Sequence, residues 1–166
     1  NTQTLVLATQ YVSGMRWQDY WNERVWSKIG AKNPFICGLA QDGTPLAAGL
    51  HNTTPEDLLR YTLIYTPSWN VVSDEQIVSD RLLKSIQTMG NPEAYKGSTE
   101  EQYGTDWFGE VPAYNSAQWD HVFSDGAMFK HGNMGQGIYV DPARDFCGMY
   151  FGLAPNQDEI SGIDHS

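Results

Sequence analysis

Apolar positions recur at helical spacing over the first half of the chain and alternate strand-like over the last third. In Asn1–Gly14, Leu5, Val6 and Thr9 share one helical face, and Gly14 supplies a C-terminal stop. Trp17, Trp21, Val25 and Ile29 fall four apart, which predicts a helix over Trp17–Ile29 closed by Gly30. PFICGLA and TPLAAGL are short extended pieces flanking the turn signal Gln41-Asp42-Gly43. In NTTPEDLLRYTLIY, Thr54 is placed as N-cap and Pro55 as first helical residue. Glu56 and Asp57 then face the positive end of the helix dipole. Another helix is predicted over Asp74–Met89, with Ile77, Leu82 and Ile86 among its apolar positions and Gly90 as its end. Asn91–Pro112 is rich in Gly, Glu, Thr and Tyr without a period and reads as a long surface loop. No internal repeat is visible.

From Tyr114 the pattern becomes strand-like. Ile138 and Val140 alternate with Tyr139, and Asp141-Pro142-Ala143-Arg144 offers a type I turn. Cys147, Met149 and Phe151 then alternate with Phe146 and Tyr150. Bulk on both faces predicts a hairpin inside a covered sheet. The fold class is therefore α/β of the α+β type. One domain has a mainly helical region and loop over 1–112 and antiparallel strands over 113–155.

Composition narrows the function classes. A chain of 166 residues with 40% hydrophobic content suffices for one domain with a real core. The formal charge of −10, from 20 acidic against 10 basic residues and without a basic cluster, argues against nucleic acid as a partner. No apolar run reaches the roughly 18 residues that a membrane span needs. Cys37 and Cys147 sit in apolar segments and read as two buried free thiols, with a disulfide between them as the alternative. Histidines 51, 121, 131 and 165 show no metal-ligand spacing, and no P-loop or dinucleotide fingerprint occurs, so neither metal nor cofactor is expected. Asp120, Asp125 and Asp145 are taken as solvated turn residues. Tyr103, Trp107, Phe108, Tyr114 and Trp119 are taken as packing aromatics. Asn52-Thr53-Thr54 satisfies the glycosylation sequon, a common accident here since Thr54 already serves as a cap.

One charge stands out. Lys130 is the only lysine in the run FKHGNMGQGIYVDPARDFCGMYFG, with glycines at 132, 135 and 137 beside it. A lone lysine at a strand start is ordinarily an edge guard, its stem on the sheet and its ammonium in water. Glycines, however, let another molecule approach the backbone, and Lys130, His131 and Asn133 would put polar groups beside a bare strand edge. Such an edge suits an acyl group whose carbonyl oxygen is met by backbone N–H groups.

At these residues the chain resembles the serine β-lactamase and penicillin-binding-protein family. Lys130-His131-Gly132 followed by GQGIYVDPARD looks like that family's third motif, Lys-Thr-Gly, or Lys/His-x-Gly in its esterase and amide-hydrolase branches. NTQTLVLATQYVSG resembles the helix after the second motif. WNERVWSKIGA and AAGLHNTTPEDLLRYTLIY resemble two further segments, in the family's order. The likeness runs to about Pro155 and implies the C-terminal portion of a β-lactamase/transpeptidase-like fold. By it, Lys130 orients substrate and the backbone N–H of Asn133 is an oxyanion donor. His131, Gly132, Met134 and Gly135 line the substrate. His131 stands where Thr or Ser is commoner, which leans toward the esterase or amidase branch. The implied partners are a small acyl substrate (ester, amide or β-lactam) and an upstream part of the same domain. The implied compartment is periplasmic or secreted.

The family's nucleophile lies in Ser-x-x-Lys, where the lysine helps to activate the serine. No serine of this chain has lysine three residues on. Tyr20-Trp21-Asn22 matches the second motif, Tyr-x-Asn, only by letter, because it falls mid-helix. The expectation is that both motifs lie upstream, in a longer hydrolase. The alternative is a binding module that kept the recognition half and lost its chemistry.

Overall fold

The computed structural model describes residues 2–132 and 135–152. Helix α1 spans Thr2–Ser13, and α2 spans Trp17–Arg24. The stripe from Trp17 to Ile29 is not one continuous helix. At Val25 the backbone leaves helical geometry (φ −132°, ψ −64°), and a 3₁₀ turn, Trp26–Lys28, follows. This break turns Trp26 and Ile29 into the core, and the Trp26 indole N–H donates to the Asn33 carbonyl at 2.9 Å. Strands β1 (Ile36–Cys37) and β2 (His51–Asn52) form a small antiparallel pair. The two extended pieces meet at the bridge Leu39↔Pro45 and through Gly38, whose N–H donates to the Leu50 carbonyl and whose carbonyl accepts from Leu46 N–H.

Helix α3, Pro55–Leu63, starts where its caps place it, with the Thr54 hydroxyl accepting from Asp57 N–H. Asp57 is fully buried. Its carboxylate accepts from Lys32 N–H at 2.8 Å, from Asn33 N–H and Asn33 Nδ2 at 3.0 Å each, and from the Thr54 hydroxyl at 2.9 Å. Burial pushes its pKa up, but these four bonds outweigh burial and hold it below the ordinary value.

Two expectations for the middle of the chain are corrected. The helix expected over Asp74–Met89 is only α4, Asp80–Ile86, because the Ser79 side chain caps Leu82 N–H. Upstream, the Ser73 hydroxyl is engaged by Glu75 in a local turn instead. The segment read as a loop contains two helices, α5 (Pro92–Tyr95) and α6 (Thr99–Phe108). Asn91 caps the first, Ser98 caps the second, and Gly109 in the left-handed region (φ +65°) ends α6.

Strands β3 (Tyr114–Ser116), β4 (Trp119–Val122), β5 (Met128–Gly132), β6 (Gln136–Asp141) and β7 (Phe146–Phe151) form an antiparallel sheet in chain order. The β6–β7 connection is a 3₁₀ turn, Pro142–Arg144, with the Asp141 side chain accepting from Arg144 N–H. Alternation sends neighbouring residues to opposite faces. Val122, Met128 and Val140 pack with Trp119 and with Ile86 of α4. Phe123 and Phe129 instead pack with Trp107 of α6 and with Tyr139 and Tyr150. The strands β4 and β5 are covered on both faces, but the final hairpin is not enclosed as its bulk predicted: β7 is an edge strand, and Phe146 and Phe151 are exposed. Cys37 and Cys147 are free thiols. Among the described residues no helix is long and apolar enough to cross a membrane.

Candidate functional site

Lys130 does not begin a strand at a bare edge. It lies inside β5, opposite Ile138 of β6, in a strand with neighbours on both sides. The pairing is nonetheless unequal. Strand β5 pairs with β6 as far as Gly132↔Gln136, whereas its pairing with β4 stops at His121↔Phe129. From Lys130 onward the β4 side of β5 carries no ladder, and a side chain takes its place. Asp120 Oδ2 accepts from His131 N–H at 2.9 Å and from Lys130 Nζ at 2.7 Å, while Oδ1 also accepts from Lys130 Nζ at 2.8 Å. Asp120 is thus not a solvated turn residue. Its side chain is 17% exposed, against 43% for Lys130. The register predicts this partnership, since Asp120 is the β4 position facing Lys130.

On the other face of β5, His131 Nε2 lies 2.9 Å from Glu100 Oε2, in the first turn of α6, and 3.4 Å from Asp120 Oδ2. The hydrogen bond with His131 holds the Glu100 carboxyl below its usual range. Beneath them His121 is fully buried and stacks on Phe129 at 5.7 Å. Its Nδ1 lies 2.8 Å from the Tyr95 hydroxyl. Burial pushes the His121 pKa down to about 4, which makes it a neutral imidazole at neutral pH. Burial also raises the Tyr95 pKa, with Glu100, Glu101 and Asp120 adding to the effect. Trp107 stands edge-on to both imidazoles. Glu100 and Asp120 form part of the wall of an open groove of about 500 Å³, with Asn91, Asn115 and Trp119.

The glycines divide in role. A Cβ on Gly137 would come within 2.5 Å of the Tyr150 ring, so this glycine makes room for a core aromatic and not for a ligand. Gly135 occupies the left-handed region (φ +97°), as the β5–β6 turn requires. Gly132 ends β5 beside the Gln136 side chain. Asn133 and Met134, the expected oxyanion donor and a substrate contact, lie outside the described residues. Asp125 and Asp145 are turn residues, bound to Arg144 and to Ser68 respectively.

Glu100 and His121 were not singled out as site residues in the sequence. Linear spacing carries no trace of Glu100. The closeness of His121 and His131 was recoverable from the turn Ser124-Asp125-Gly126: a hairpin closed there pairs His121 with Phe129 and puts His131 diagonally across. No protein-family model matches the chain, and no curated protein matches it.

Proposed function

We propose that the chain is the C-terminal portion of a β-lactamase-like serine hydrolase, with Lys130-His131-Gly132 as its third motif, acting on an ester, amide or β-lactam bond. The observation that carries the reading is the half-open edge of β5. There the His131 N–H and the Lys130 ammonium converge on a single oxygen, Asp120 Oδ2. These two donors would meet a docked acyl carbonyl on the strand edge once it takes the place of the Asp120 carboxylate that holds them. Asp120 holds the ammonium in place through both carboxylate oxygens. In this scheme a serine hydroxyl from a Ser-x-x-Lys segment outside these residues attacks the carbonyl carbon. The leaving group departs with a proton, and water then cleaves the acyl-serine ester. The role of the Asn133 N–H rests on the resemblance alone. Exposed apolar side chains on α1, among them Leu7, Tyr11 and Val12, further support a domain that continues beyond these residues.

A second reading is a penicillin-binding-like binding module without a nucleophile. It is favoured by the absence of Ser-x-x-Lys from these 166 residues. The intact protein, treated with a serine-directed phosphonylating probe, separates the two by mass. The hydrolase reading expects one stoichiometric adduct on a serine, formed roughly 10²-fold more slowly after Lys130→Ala. No adduct would overturn it and leave the binding module.

A further inference from the structure

Three side chains distant in sequence meet on the α6 side of the sheet. The β4–β5 register puts His121 and His131 on one face, and α6 brings Glu100 down beside them. One donor atom from each, a carboxylate oxygen and two ring nitrogens, lie within 4.8 Å of one another. His121 is fully buried, and among the described residues its Nε2 has no hydrogen-bond partner. A buried polar atom in a native fold calls for an explanation. An unoccupied coordination position is one.

We infer that Glu100, His121 and His131 form a binding site for a divalent transition cation of the zinc class. Two imidazoles and one carboxylate are a donor set zinc accepts in open sites, whereas calcium and magnesium call for oxygen ligands. Tyr95 occupies Nδ1 of His121, the outer hydrogen bond that orients a metal-bound histidine, and this leaves Nε2 to take the ion. The charges also suit a cation. Asp120 is matched by Lys130, and among the described residues Glu100 has no lysine or arginine partner of its own. Metal–ligand bonds of about 2.0–2.2 Å in tetrahedral array separate donor atoms by roughly 3.3 Å. The His131–Glu100 contact, at 2.9 Å, is already close to that. The widest separation, at most 4.8 Å, has to close by no more than about 1.5 Å. Glu100 also borders the open groove, which brings one of the three ligands to solvent.

This site does not depend on the acyl-serine reading, and the two fail separately, one by metal titration and one by serine labelling. The test is titration of chelator-stripped protein with Zn²⁺ by calorimetry and with Co²⁺ by absorption. One equivalent of Zn²⁺ is expected, with the intense ligand-field bands of four-coordinate cobalt. Glu100→Gln and His131→Gln should each weaken Zn²⁺ binding by about 100-fold or more, since even outer-shell changes cost 10–100-fold. His51→Gln, outside the cluster, should leave it unchanged. Circular dichroism of each metal-free variant reports whether it is folded. Absence of stoichiometric binding by the unmodified protein overturns the inference, and so does a weak six-coordinate cobalt spectrum. Affinity left intact in a folded Glu100→Gln variant overturns it as well.

Discussion

Replacing Asp120 by alanine removes, besides the 3.4 Å contact with the His131 ring, two hydrogen-bonded interactions of different kinds, and the structure allows each of these to be sized. The first is the ion pair with Lys130, whose side chain is 43% exposed. Water screens such a pair, so it contributes about 0.5–1 kcal/mol. The second is the bond from His131 N–H to a carboxylate on the unladdered side of β5. Hydrogen bonds to charged groups contribute about 1.5–3 kcal/mol net, and water reaching the strand edge moves this one toward the lower figure. Asp120→Ala should therefore destabilise by about 2–3 kcal/mol, a fall in Tm of about 4–12 °C for a domain of this size. Lys130→Ala removes only the ion pair and should cost about 0.5–1 kcal/mol. Asp120→Asn keeps an acceptor for the backbone and should fall between the two. Urea unfolding followed by circular dichroism on the single and double variants closes the cycle, with a coupling of about 0.5–1 kcal/mol expected. If Asp120→Ala were no worse than Lys130→Ala, the carboxylate would not be completing the strand edge. The oxygen-binding geometry assigned to that edge would then lose its basis.

Two further substitutions test the parts that hold the site in place. Asp57→Ala removes a buried acceptor of four hydrogen bonds and should cost about 3 kcal/mol, read as a shifted urea midpoint. The folded pKa of Asp57 is depressed, so its stabilisation is fully present above the unfolded value near 4 and lost as pH falls through the folded one. The gap between the unmodified protein and Asp57→Asn should be level from neutral pH to about pH 5 and close below about pH 4. A gap that widened in acid would contradict this assignment. Gly104→Ala reverses a familiar sign. Alanine in a helix interior ordinarily stabilises by about 0.5–1 kcal/mol over glycine. Here the added Cβ meets the Pro112 ring and stands 3.0 Å from His121 Nδ1, so a loss of about 1–3 kcal/mol is expected. A higher Tm for that variant would mean that α6 is not seated on His121.

Local structure was legible in the sequence wherever its cause lies within a few residues. Thr54 and Pro55 start α3, and Asp141-Pro142 turns the last hairpin, because cap and turn bonds join near neighbours. The same logic, applied more closely, would have found α5 and α6. Asn91 before Pro92 and Ser98 before Glu101 are cap signals, passed over because the segment has no strong apolar period. The overlong helix from Asp74 erred the other way, since apolar spacing counted Ile77 as helical while the Ser79 hydroxyl begins the helix after it.

The sequence by itself determined an α+β domain, its order of helices then antiparallel strands, and Lys130 and His131 as residues of interest, because periodicity and turn chemistry are written in adjacent positions. Tertiary structure alone decided their surroundings. Asp120 serves β5 instead of solvent because β4 stops pairing at Phe129, and a strand edge left without a ladder needs another acceptor. Glu100 meets His121 and His131 because a short polar helix is seated across two strands. That placement follows from packing between segments more than 20 residues apart, where linear spacing carries no information.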